Sequence, residues 1–242
     1  MIGTGPPVKK STPESISSPK SDEKNVHPFH RYGDIQLISK DNMILMADSR
    51  RLSDVSWHMG YEVGKALSNG MQIEMDGWSS ETISLFLDLI NVSKPSEPTA
   101  ELPVLFELAT FCQDNELDNE EINELLRESM VKAARIDNRQ WSLLLFTNEV
   151  IRAPLEWQLA KSALRIMTKE TFLHPIIFDT KKKEFVRLGF WRAFDELPKR
   201  WQRQLIRSTF LVPDEQADGT MMNDVRMTTD WEKVADQFDP AE

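Results

Sequence analysis

The chain of 242 residues holds a single cysteine, Cys112, so it closes no internal disulfide. A free cysteine within an apolar run acts as a small buried hydrophobe, and a chain without disulfides fits a reducing compartment. Histidine is scarce too, with only His27, His30, His58 and His174 present. Metal sites need several His, Cys or carboxylate ligands at suitable spacing, and only His27 and His30 are neighbours. No metal is expected. Long apolar runs are missing as well. Nothing approaches the ~20 apolar residues of a membrane span, and the first residues lack the apolar stretch of a signal peptide. The expected location is the cytoplasm or the nucleus, with no membrane partner.

Catalytic signatures are equally sparse. The nine glycines are scattered, and neither G-x-G-x-x-G nor G-x-x-x-x-G-K followed by Ser or Thr occurs. Ser56 and His58 are close in sequence, but residues two apart point to different helix faces, and no G-x-S-x-G turn accompanies them. Paired carboxylates such as Glu120 and Glu121 are what any acidic helix contains. Neither an enzyme nor a cofactor is expected.

Positive charge is the last shortage. Lys and Arg number 29 against 39 Asp and Glu, a formal net charge of −10. Phosphate binding needs a basic face, so a dedicated nucleic-acid partner is not expected. The charge is uneven, however. Residues 97–128 hold ten acidic side chains against one basic, and residues 181–207 hold nine basic against three acidic. Both runs read as solvated helix faces, or as faces that meet within the molecule or between copies of it.

What is present reads in order along the chain. Residues 1–29 are rich in Pro, Ser and Lys and cannot bury enough surface to offset chain entropy, so a disordered tail is expected. Within it, Thr12-Pro13 and Ser18-Pro19 have the form of proline-directed phosphorylation sites. Asp34 to Ser39 alternates as a strand, with Ile35 and Leu37 inward, and a turn at Lys40-Asp41-Asn42 leads to the apolar Met43 to Ala47. A helix follows from Ser49 to about Lys65, then a strand through Met71, Ile73 and Met75. Further helices cover Ser80 to Ile90, Leu102 to Asn115 and Asn119 to Ala134. This order is α+β, a small sheet capped by helices.

Beyond Asp137 everything reads as helix. The expected spans are Arg139–Arg152, Pro154–Phe172, Glu184–Glu196 and Pro198–Phe210. Residues 213–242 are acidic and expected to be mostly disordered, with a short helix around Asp230 to Gln237. The expected organisation is therefore a tail to residue 29, an α+β domain over 30–135, an all-helical extension over 136–212 and a second tail.

The spacing of Asp34, Leu45, Ala47, Asp48, Leu52, Ser56 and Met59, followed by Ala109 and Phe111, resembles the signature of the BTB/POZ domain. The likeness is to the divergent versions found in fungal proteins, and it runs from Asp34 to about Met130. Asp48 stands where the family usually has His, and Asn91 where it often has Tyr. The resemblance implies an interaction module, an adaptor or scaffold whose partners are other proteins and which self-associates through Met43 to Val63. Some members serve cullin-type ubiquitin ligases, but the segment those ligases recognise has no clear counterpart here. Trp57 and Trp78 fall near turns or outer helix faces and are the candidate partner surface. A second reading makes the chain a nuclear regulatory protein whose basic segment 181–207 touches nucleic acid or an acidic partner. There, Trp191, Trp201, Phe190 and Phe194 interleave with Arg187, Arg192, Arg200 and Arg203, a pattern that also arises from an apolar stripe facing the core.

Overall fold

The computed structural model describes residues 25–92, 94–117, 119–149, 155–211, 226–228 and 230–239. The segment before residue 25 with Thr12 and Ser18, Pro154, and residues 212–225 lie outside the described residues. The architecture is α+β. Its main sheet contains β1 (Asn25–Val26), β2 (Ile35–Ser39), β3 (Met43–Ala47) and β4 (Gln72–Met75), in the spatial order β1-β3-β2-β4.

Period-two alternation builds the central strands. Ile35, Leu37 and Ser39 of β2 face inward beside Leu45 and Ala47 of β3 and Ile73 and Met75 of β4. The β2–β3 turn closes at Asn42, whose φ of 58° is left-handed, a conformation Asn tolerates. β2 runs antiparallel to β3 and parallel to β4, so Leu37 lies opposite both Leu45 and Ile73.

Asn25 and Val26, expected within the disordered tail, instead form a strand of the sheet. β1 lies parallel to β3 with Asn25 opposite Met43, and the His27 amide donates to the Ile44 carbonyl at 2.8 Å. An open strand edge pairs with any extended segment through backbone groups, whatever its side chains. That is why residue pattern did not reveal it. The chain then enters β2 through Gly33, where a Cβ would sit 2.2 Å from the Ala47 carbonyl oxygen. Only glycine allows that approach.

The helix expected from Ser49 to Lys65 is two helices, α1 (Ser49–Val55) and α2 (Trp57–Ser68). Ser56 between them is extended, and its hydroxyl caps α2 by accepting from the Met59 amide at 2.9 Å. α3 (Ser80–Asn91) is capped by Ser79, α4 (Leu102–Asp114) starts with a proline in its first turn, and α5 (Glu120–Ile136) is capped by Asn119.

The remainder is not all-helical. After α6 (Gln140–Glu149), α7 (Leu155–Arg165) and α8 (Lys169–Leu173) comes a hairpin of β5 (Ile176–Asp179) and β6 (Glu184–Arg187). Phe178 faces Phe185 across it, and the Asp179 carboxylate accepts from the Lys181 and Lys182 amides at 3.0 and 3.1 Å. The Asp side chain thus builds the turn that a helix reading of this stretch overlooks. Arg139 rests 3.6 Å over the Phe185 ring and fastens the hairpin to the start of α6. The expected helix ending near Phe172 is interrupted at Thr168, which caps α8 in a reciprocal pair with Thr171.

α9 (Phe190–Asp195) and α10 (Lys199–Thr209) follow, then β7 (Phe210–Leu211) paired with β8 (Arg226–Met227), and finally α11 (Trp231–Gln237). Residues 226–228 and 230–239 were expected in a mostly disordered tail, yet Trp231, Val234, Ala235 and Phe238 are buried. The Trp231 ring lies 5.0 Å from Phe172, and Phe238 meets Trp201 edge-on at 5.2 Å. A short polar helix needs apolar groups only along its contact line. The core runs unbroken from the sheet to α11, and Phe106 of α4 stacks on Phe146 of α6 at 4.0 Å across the boundary expected near residue 135.

Candidate interaction surface

The nine BTB-like positions sort by chemistry into core and caps. Leu45, Ala47, Leu52, Met59, Ala109 and Phe111 are all buried. Asp34 reaches across to α1, accepting from the Ser49 amide at 2.8 Å and its hydroxyl at 2.5 Å. Those bonds hold the Asp34 carboxyl below its usual range. Asp48 caps the same helix through the Arg51 amide at 3.0 Å, and Ser56 caps α2. A carboxylate at the start of a helix also suits the macrodipole. Seven of the nine are buried, and the exposed Asp34 and Asp48 commit their carboxylates to the start of α1.

Asp41 repeats the Asp34 device on α3, accepting from the Ser80 amide at 2.8 Å and hydroxyl at 2.5 Å. Beside it Glu107 of α4 gathers three elements. Its carboxylate takes the Lys40 ammonium from the β2–β3 turn and the Ser79 and Thr82 hydroxyls from the start of α3, each hydroxyl at 2.6 Å. Burial pushes the Glu107 carboxyl up, but the bonds from Lys40, Ser79 and Thr82 outweigh it and hold the pKa below the ordinary 4.5. Stability from this group is therefore complete above pH 4.5 and is lost as pH falls through the depressed folded value. Glu107→Gln should cost about 2 kcal/mol at neutral pH. In urea melts the gap between variant and wild type should narrow below pH 4.5. A gap that stays constant into acid would show that the charge is not what matters.

Trp57 is the exposed member of the expected partner surface, with 76% of its area open to solvent. It opens α2, and Tyr61 stacks on it one turn later at 5.8 Å with planes 9° apart. One turn further, the Lys65 ammonium sits 4.2 Å over the Tyr61 ring and 2.7 Å from Glu62. The i, i+4, i+8 spacing makes one continuous ladder, while Met59, Val63 and Ala66 anchor the opposite face. Trp78 does not join it. Its ring is half-buried with its edge on Phe111 at 5.2 Å, and it lines a cleft of about 230 Å³ together with His58, Met75 and Asn115. Trp78 is a packing residue, because the turn after β4 folds it back over α4.

No family model, curated protein or solved structure matches this chain. The chemistry of the surface therefore rests on the residues themselves. His30 is buried with its Nε2 2.9 Å from the Ser84 hydroxyl and 3.5 Å from Asp88. Burial lowers its pKa, Asp88 opposes that shift, and the stacked His27 adds to it. The pair thus pins the incoming chain to α3. Cys112 is buried and its thiol is pushed up to about 12 by desolvation, so it is no nucleophile near neutral pH. Among the described residues no group of His, Cys, Asp and Glu is placed to hold a metal, and no helix is long and apolar enough to cross a membrane.

The aromatic and basic residues near the C-terminus separate cleanly. Trp201 and Phe194 are buried and Phe190 is half-buried, whereas Arg187, Arg192, Arg200 and Arg203 are exposed. Trp191 is the exception, 67% exposed. Tyr61 and Lys65 were missed by the sequence reading, though their fourfold spacing from Trp57 was there to see. Glu107 carried no such signal, since its partners lie 67, 28 and 25 residues away.

Proposed function

We propose that this chain is a protein–protein interaction module, an adaptor or scaffold built on a BTB/POZ-like domain, that grips its partner through the Trp57–Tyr61–Lys65 ladder on α2. The ladder carries this reading. A stacked, solvent-exposed Trp and Tyr on a helix whose other face is locked into the core is already rigid, so binding costs little ordering. Trp and Tyr are also the side chains that most often anchor interfaces.

The BTB/POZ part of the reading is supported by element order. The resemblance implies a strand hairpin, a helical stretch, a third strand with an aspartate and a helix, then a leucine-rich helix and a closing helix pair. β2 to α5 follow in that sequence as far as the first closing helix, with the matched positions in the core and at the caps.

Trp57→Ala with Tyr61→Ala should leave the thermal melt unchanged and weaken partner binding about 30-fold, the loss of an anchor worth about 2 kcal/mol. The check is affinity capture with quantitative mass spectrometry, comparing wild type with the double variant. A partner retained equally by both would sink the assignment of the ladder.

A further inference from the structure

We infer that the exposed ridge of α10 docks on the exposed ridge of α5 in a second copy of this chain. Lys199, Arg203 and Arg207 are exposed at i, i+4 and i+8 on α10, with the exposed Ile206 beside them. α10 contains no acidic residue. Glu120, Glu124 and Glu128 are exposed at the same i, i+4 and i+8 spacing on α5, with Glu121 alongside. Four residues of helix rise about 6 Å, so the two rows carry opposite charge at equal intervals.

Within one molecule the rows do not meet. Among the described residues no ion pair joins them. Glu124 pairs with Arg127 and Lys199 with Asp195, while Arg203, Arg207, Glu120 and Glu128 make no salt bridge among the described residues. Both helices are held by their buried sides, α10 through Trp201 and Leu205 and α5 through Ile122, Leu126 and Met130. The rows are therefore presented on rigid supports. The net charge of −10 repels a polyanion and a second copy alike at long range, so the contact rests on the local opposition of the basic row and the matching acidic row that a second copy brings. The contact is independent of the α2 ladder and stands whether or not that ladder binds another protein.

The test uses the full chain and four samples in light scattering. Wild type should show a concentration-dependent rise above monomer mass at low salt, reversed near ~0.5 M NaCl where the Debye length is only a few ångströms. Arg203→Glu with Arg207→Glu should weaken association at least tenfold, and so should Glu120→Lys with Glu128→Lys. Mixing the two variants in equal amounts should restore it, because each supplies what the other lost. All four positions are exposed, and unchanged far-UV dichroism and melting curves establish that the variants fold. The inference is overturned if wild type stays monomeric throughout, if either variant associates like wild type, or if the mixture does not. It is also overturned if labelled DNA or RNA binds wild type without self-association and is released by the arginine variant, which would give α10 to nucleic acid. The Trp57 and Tyr61 variant should self-associate normally, which keeps this result separate from the proposed partner site.

Discussion

Phe111→Ala is expected to cost about 3–5 kcal/mol, a large fraction of the stability of an ordinary domain. Phe111 is fully buried in α4, with the Phe86 ring of α3 at 4.8 Å and the Trp78 edge at 5.2 Å. Removing it leaves a cavity at the meeting point of α3, α4 and the turn after β4. The two aromatic pairs add to the transfer loss, each worth about 0.5–1.5 kcal/mol beyond area. Phe111→Leu keeps most of the volume and should cost less than about 2 kcal/mol. Urea denaturation with tryptophan fluorescence would measure both. A loss below about 1 kcal/mol for the alanine variant would mean that the site collapses or that the ring is not where the core needs it. Because Phe111 is also one of the BTB-like positions, the experiment weighs its packing role directly.

Trp231→Ala should be nearly as damaging, again about 3–5 kcal/mol. A disordered tail would show no effect at all, so this substitution distinguishes the two views of the C-terminal segment. Trp231 is buried between α11 and α7, against Phe172, and Val234, Ala235 and Phe238 continue the same contact. Its indole N–H finds no acceptor among the described residues. A buried donor without a partner is costly, so Trp231→Phe should lose only a small part of what alanine loses. The order Ala far worse than Phe, read from melting temperatures, is the signature of apolar burial. Equal losses for both would point to a role for the indole N–H.

The two substitutions mark how far the residues could be read in advance. Phe111 sits in a helix whose apolar spacing is plain from Leu105 to Cys112, and its burial follows from that period. Trp231 and Phe238 are the large apolar residues of an otherwise polar segment, and nothing local says that α7 and α10 offer them a groove. The β5–β6 hairpin is a similar case. Its strands are four residues each, too short for period two to be told from a helical turn, and the Asp179 side chain that closes the turn acts through a contact that spacing does not encode. The candidate surface divides in the same way. Trp57 was legible as an aromatic near a turn or on an outer helix face, but Trp78 looked equivalent and is not, because the turn after β4 folds it inward.

The shortages with which the sequence begins already bounded this protein. A single cysteine is a property of composition, and no fold can close an internal disulfide with it. Local periodicity likewise determined β2 to α5, apart from the break at Ser56 that divides α1 from α2, since a strand or helix with one apolar face needs only its own residues to declare that face. Tertiary structure decided the rest. It chose which open edge β1 would pair with, where Asp34, Asp41 and Glu107 would place their carboxylates, and that α11 would be held. Each of these depends on groups brought together from distant parts of the chain, and their energy exists only once the intervening elements have packed.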